Sequence, residues 1–169
     1  MRILILTENG FEDSELLCPK YRFIEEGYQV DIAALNWGEV KGKHGYIVSA
    51  NLELGDVEPT SFKALFIPGG KAPEKLSFHE EALDLVRAFD KMSLPIFAIC
   101  HGPLLLAKAG ILKDKKATCY YKVAEKLIDL GAIYEDSPVV INQNIITSRQ
   151  PSDLPHFMKA ILTTLKKTS

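Results

Sequence analysis

An uncharged apolar run, Pro95-Ile-Phe-Ala-Ile99, stops at Cys100-His101-Gly102-Pro103 and resumes as Leu104-Leu-Leu-Ala107. Few backbone arrangements satisfy that pattern. A continuous, partly β-branched run is what a strand buried on both sheet faces requires, and Gly102-Pro103 supplies a permissive backbone and then a fixed φ in a first helical turn. The predicted order is strand, tight turn, helix. Ala98-Ile99-Cys100-His101-Gly102 has a nucleophile between small residues, the spacing of an elbow that pushes a side chain clear of the sheet. A helix starting behind Cys100 presents free N–H groups and partial positive charge, which favour thiolate over thiol. The plain alternative is a packing cysteine, since free cysteines are often buried. The place of Cys100, last before His-Gly-Pro, argues for the reactive reading.

The rest of the chain repeats the alternation of strand and helix. Arg2–Thr7 reads as a buried strand. A helix from about Ser14 follows, with Leu17, Tyr21 and Ile24 as its apolar stripe and Gly27 beyond its end. Gln29–Ala34 is the next strand. Between Asn36 and Pro59 short alternating pieces separated by glycines predict a small β excursion, with Trp37 as a packing residue and His44 structural. Lys63–Ile67 is a third main strand, and Ala82, Leu83, Val86 and Phe89 mark a helix. Ala117–Tyr120 reads as a short strand, Lys122–Gly131 as an amphipathic helix, and Val139–Ser148 as a hairpin or two short strands around Gln143-Asn144. A last helix starts after Gln150-Pro151-Ser152-Asp153, with Leu154, Phe157, Met158, Ile161, Leu162 and Leu165 as its buried stripe. Such alternation implies a mostly parallel sheet covered on both faces.

At 169 residues, 47% of them hydrophobic, the chain fits one domain, 1–169, with a sizeable core. A formal net charge of −2 without a basic cluster leaves no electrostatic footprint for nucleic acid or an anionic membrane. No apolar run reaches membrane-spanning length, and the first residues lack the pattern of a secretory leader. Three cysteines without metal-ligand spacing argue against a disulfide framework or zinc site and for a reducing, cytoplasmic setting. Cys18 and Cys119 read as packing residues. Neither a G-x-G-x-x-G nor a P-loop occurs, so no cofactor is expected.

Ligands of open α/β sheets bind beyond the carboxyl ends of the strands, which selects Glu8–Asp13, Pro68–Pro73 and Cys100–Pro103. Glu12 is the foremost carboxylate there, with Glu8, Asp13 and Glu15 as competitors that could equally serve the helix terminus. Protonated, it would donate a hydrogen bond to the thiolate; ionised, it would raise the thiol pKa. Free N–H groups at Gly69 and Gly70, with that of His101, could bind an oxyanion; a tight turn needing positive φ accounts for the same glycines. His101 reaches Cys100 as a base only if the turn bends adjacent side chains together.

Phe11-Glu12-Asp13-x-Glu15-Leu16, Gly42-Lys43-His44-Gly45, Ile67-Pro68-Gly69-Gly70-x-Ala72-Pro73-Glu74 and Ala98-Ile99-Cys100-His101-Gly102-Pro103 together resemble the PfpI-type intracellular cysteine peptidases. These belong to the class I glutamine amidotransferase-like superfamily, with the parkinsonism-associated deglycase and glyoxalase-like relatives. The resemblance spans essentially the whole chain. It implies a flavodoxin-like three-layer sandwich and a homodimer, or a hexamer built from dimers. It also implies roles: Cys100 as nucleophile, His101 as its base, Glu12 as the carboxylate bonded to the cysteine, Glu74 of a neighbouring copy orienting His101, and Tyr120 lining the pocket. Small reactive carbonyls or peptides are the implied substrates, through glyoxalase, deglycase or peptidase activity. A non-enzymatic stress sensor or chaperone that oxidises Cys100 is the alternative. Leu104 stands where many members carry a polar or larger residue, which bears on pocket polarity. Thr147-Ser-Arg149-Gln-Pro-Ser-Asp153 replaces the His-x-Glu needed for ammonia transfer.

Overall fold

The computed structural model describes residues 1–168. In chain order its elements are β1 (Arg2–Leu6), α1 (Asp13–Glu25), β2 (Gln29–Ala34), β3 (Gly38–Lys41), β4 (Ile47–Ala50), β5 (Leu52–Glu53), β6 (Ala64–Ile67), α2 (Ala72–Leu76), α3 (Glu80–Lys91), β7 (Ile96–Ile99), α4 (Gly102–Lys108), β8 (Lys116–Ala117), α5 (Ala124–Asp129), β9 (Ile133–Tyr134), β10 (Val139–Asn142), β11 (Ile145–Ser148) and α6 (Leu154–Lys167). Seven strands form the main sheet in the order β10-β11-β7-β6-β1-β2-β5. All neighbours pair in parallel except β10 and β11, which make an antiparallel hairpin around Gln143-Asn144, one of the two arrangements expected there.

The apolar runs are central strands because both of their faces are covered. Leu4, Leu6, Leu65, Ile67, Ile96 and Ala98 point into one core with α3 and α4, while Ile3, Ile5, Phe66, Phe97 and Ile99 point into the other with α1 and α6. Alternate side chains of one strand therefore reach opposite layers, which is why these strands show no polar alternation. This is the three-layer flavodoxin-like sandwich. The predicted stripe of α6 is buried at all six positions. No described helix is long and apolar enough to cross a membrane.

Four expectations are corrected. The buried face of α1 carries Glu15, Leu16, Pro19 and Phe23, whereas Tyr21 and Ile24 are about half exposed at 53% and 49%. Both sets have helical spacing, and only contact with the sheet selects between them. Within the β excursion, β3 and β4 pair as a separate hairpin, but β5 adds to the main sheet beside β2. Trp37 lies in the bend before β3, outside both layers, and is exposed rather than packed. The strand expected over Ala117–Tyr120 ends at Ala117, because the next backbone groups turn elsewhere. Thr118 N–H donates to Thr147 Oγ1 at 2.9 Å and Tyr120 N–H donates to the Cys100 carbonyl at 2.9 Å.

Candidate active site

The loops at the carboxyl ends of β1 and β6 are knitted together, and that of β7 is tied to the end of β11, before any side chain is considered. Glu12 N–H donates to the Gly69 carbonyl at 3.1 Å, Lys71 N–H donates to the Gly10 carbonyl at 2.8 Å, and Cys100 N–H donates to the Ser148 carbonyl at 3.0 Å. Gly70 has φ +81°, and a Cβ there would collide with the backbone of residues 10–12. A Cβ on Gly69 would sit 2.7 Å from Cys100 Cβ and press on Glu15 Oε1. The two glycines therefore serve approach as well as turn geometry.

Cys100 has φ +64°, a conformation that a non-glycine residue holds only when its surroundings impose it. Hydrogen bonds on both sides of its backbone do so here. The turn bends the adjacent side chains together, placing His101 Nδ1 3.3 Å from Cys100 Sγ. The His101 ring stacks at a tilt on Tyr120, with centroids 5.3 Å apart, which fixes its plane. A cavity of about 460 Å³ opens over this pair, with Glu12, Glu15, Gly70, Glu74 and Tyr120 in its wall. Lys43, Lys71, Lys122 and Pro151 complete it; none of these four was expected as a site residue from the sequence.

The carboxylate against the cysteine is Glu15, not Glu12. Glu12 flanks the start of α1 and turns outward, with Oε1 3.1 Å from His44 Nε2 and Oε2 3.6 Å from Lys43 Nζ. It lines the mouth of the cavity, and it supplies the partner that His44 lacked in the sequence. Glu15 lies one turn on, on the buried face of α1, where Oε1 accepts from Gly69 N–H at 3.0 Å. Its Oε2 is buried without a nitrogen or oxygen partner among the described residues. The carboxyl and Cys100 are close enough to shift each other's proton affinity. Burial raises the pKa of Glu15 to about 8, so it is a proton donor at neutral pH.

The same burial pushes the Cys100 thiol up, opposed by hydrogen bonds from the N–H groups of His101 and Gly70. Burial therefore favours the thiol at this position, in the opposite sense to the thiolate expected from the helix terminus. Burial also lowers the pKa of His101, with Glu74 acting to raise it and Lys43 and Lys126 to lower it further. A neutral imidazole beside a neutral thiol is a base waiting for a proton. Gly69 N–H is already bound to Glu15, which leaves Gly70 and His101 as the donors facing the sulfur. Glu74 of the same chain lines the cavity and pairs with Lys126 at 3.8 Å. Leu104 is buried and faces a neighbouring hollow with Phe78 and Leu130, so it does not set the polarity of this pocket. Cys119 is buried as expected, but Cys18 is exposed, in a groove of about 550 Å³ between α1 and α6. No group of His, Cys, Asp and Glu suited to a metal ion occurs among the described residues.

Sheet order and elbow together define a flavodoxin-like α/β sandwich with a cysteine at the carboxyl end of a central strand. Residues 1–164 match the family model described as DJ-1/PfpI family, and the chain belongs to that family. It is 41% identical over 166 residues to deglycase PfpI of Pyrococcus furiosus, covering 98% of this chain and 100% of the relative. To the "Putative cysteine protease YraA" of Bacillus subtilis it is 40% identical over 166 residues, covering 98% of each. Among solved structures it superposes with a TM-score of 0.95 and 31% identity on a two-domain protein of Anabaena variabilis with DJ-1/ThiJ/PfpI-like and ferritin-like domains. That match covers 98% of this chain and 48% of the longer one.

Proposed function

We propose that the chain is a cofactor-free enzyme of small reactive carbonyls, glyoxalase- or deglycase-like, in which Cys100 is the nucleophile. The observation that carries this reading is the contact of 3.3 Å between Cys100 Sγ and His101 Nδ1 at the floor of an open cavity. His101 takes the thiol proton as sulfur attacks the aldehyde carbon, giving a thiohemiacetal. The Gly70 and His101 N–H groups stabilise negative charge first on sulfur and then on the former carbonyl oxygen, two bonds from the sulfur. Protonated Glu15 adds a further hydrogen bond to the sulfur without adding a charge. With methylglyoxal, His101 then moves the proton from the former aldehyde carbon to its neighbour, and water releases lactate from the resulting thioester. The overall change is methylglyoxal plus water to lactate.

The relative named deglycase supports a carbonyl reaction, and the relative named as a cysteine protease supports peptide hydrolysis by the same sulfur. A cavity of about 460 Å³ favours the small substrate, because it matches a small-molecule site rather than an extended peptide groove. The sensor reading draws on the Glu15 carboxyl at the sulfur, which would equally hydrogen-bond an oxidised cysteine. Failure of mild peroxide to oxidise Cys100, read by mass spectrometry, would remove it. Self-association, which the resemblance implies, would bring a second copy's Glu74 toward His101, and sedimentation across a concentration series tests it.

The deciding experiment measures methylglyoxal loss and lactate formation without added cofactor, wild type beside Cys100→Ala. Turnover present in the first and abolished in the second is the expected result. Equal turnover in both, or none in either, would overturn the assignment.

A further inference from the structure

Two lysines in the wall of the Cys100 cavity make no ion pair with a carboxylate among the described residues. The cavity wall holds Glu12, Glu15 and Glu74 against Lys43, Lys71 and Lys122. The carboxylates are already engaged. Glu12 pairs with Lys43 at 3.6 Å and with His44 at 3.1 Å, and Glu74 pairs with Lys126 at 3.8 Å. Glu15 stays protonated to about pH 8, so it offers no charge at neutral pH. Lys71 and Lys122 make no ion pair with a carboxylate among the described residues. The Lys122 ammonium lies 6.0 Å from the centroid of the Tyr121 ring, a contact that leaves its charge intact.

These lysines come from different segments. Lys71 directly follows Gly70, whose N–H faces the sulfur, and its own N–H is tied to the Gly10 carbonyl at 2.8 Å. Lys122 lies in the short 3-10 turn Tyr121–Val123, just after Tyr120, whose N–H is tied to the Cys100 carbonyl. A neutral dicarbonyl in the cavity would use neither ammonium group. Both lysines are exposed, so an anion held between them would be neutralised at the hydrated rim of the cavity, with its carbonyl carbon directed toward Cys100.

We propose that Lys71 and Lys122 determine specificity by selecting carbonyl compounds that carry a carboxylate or phosphate close to the reacting carbon. This rests on the Cys100-centred reading above and adds the substrate class to it. With an α-oxoaldehyde bearing a phosphate ester, the reaction remains addition of water to give the corresponding α-hydroxy acid, and the phosphate is only gripped.

The test uses two alkylating probes that differ chiefly in charge. Iodoacetate is an anion and iodoacetamide is neutral; with each, Cys100 sulfur forms the new S–C bond, iodide leaves and the thiol proton is released. The ratio of their rates at Cys100, read by peptide mass spectrometry on the intact protein, cancels the intrinsic reactivity of the thiol. Each single variant, Lys71→Gln or Lys122→Gln, should lower that ratio about threefold and the double variant about tenfold, the scale of one or two unit charges acting through a hydrated cavity. Lys71→Arg and Lys122→Arg should restore it, and added salt should shrink the wild-type preference. The ratio at exposed Cys18 should stay unchanged in every variant. A Cys100 ratio unmoved by the double variant would overturn the proposal, as would a Cys100 that neither probe reaches. A lysine-dependent ratio in a protein without Cys100-dependent methylglyoxal turnover would leave anion selection standing and remove the carbonyl reaction. Turnover with an unmoved ratio would do the reverse.

Discussion

Replacing Glu15 with glutamine should stabilise the fold, and by an amount that depends on pH. In the folded protein the Glu15 carboxyl has a pKa of about 8, against an ordinary value of 4.5, because burial penalises its charged form. Below about pH 4.5 folded and unfolded states both hold the proton, and the group costs nothing. As pH rises toward 8 the unfolded state gains free energy from ionising while the folded state does not, so stability falls across that window. At about 1.4 kcal/mol per pKa unit, the cost is about 3 kcal/mol at pH 7 and about 1 kcal/mol at pH 5. Glutamine keeps the shape, can accept from Gly69 N–H and can donate toward Cys100, but it cannot ionise in either state. Urea unfolding at fixed protein concentration, from pH 5 to pH 8, should show Glu15→Gln gaining on the wild type as pH rises. Parallel stability curves over that range would refute the view that Glu15 is held protonated.

His101→Asn should lower kcat for Cys100-dependent turnover by about 10²–10⁴, the range for loss of a general base. In the wild type the acid limb of the pH–rate profile should fall below the ordinary histidine value of 6.5, since burial lowers the His101 pKa and the base must be neutral; a limb above 6.5 would contradict this. Gly69→Ala should destabilise by about 1–3 kcal/mol through overpacking against Glu15 and Cys100, read as a lower urea midpoint with unchanged slope. Asp13→Ala removes the acceptor for the backbone N–H groups of His44 and Tyr46, both at 3.0 Å. It should cost about 1–3 kcal/mol and speed hydrogen exchange at those two amides.

The elbow was legible because chemistry and backbone requirements coincide in one short segment. A strand buried on both faces, a cysteine between small residues and a proline at the first turn leave little else for Pro95–Ala107 to do. The hairpin and the buried stripe of α6 were legible for a similar reason, since local turn residues and helical periodicity specify them. The first helix was not. Leu17, Tyr21 and Ile24 repeat at the same interval as Leu16, Pro19 and Phe23, and periodicity cannot choose between two such faces. That single ambiguity also hid the carboxylate, because Glu15 lies on the second face and Glu12 does not. Choosing the face of Leu16 and Phe23 would have put Glu15 under the sheet loops.

By itself the sequence determined the alternation of strands and helices, the position of Cys100 at the end of a central strand and the glycine-rich turn at residues 69 and 70. Each depends on backbone sterics or on burial acting over a few neighbouring residues. The tertiary structure decided which helix face is buried, which carboxyl therefore loses its charge, and which lysines line the cavity without an ion pair among the described residues. It also decided that burial favours the thiol at Cys100. Those properties depend on desolvation and on distances between charges carried by different loops, and neither exists until the layers have packed.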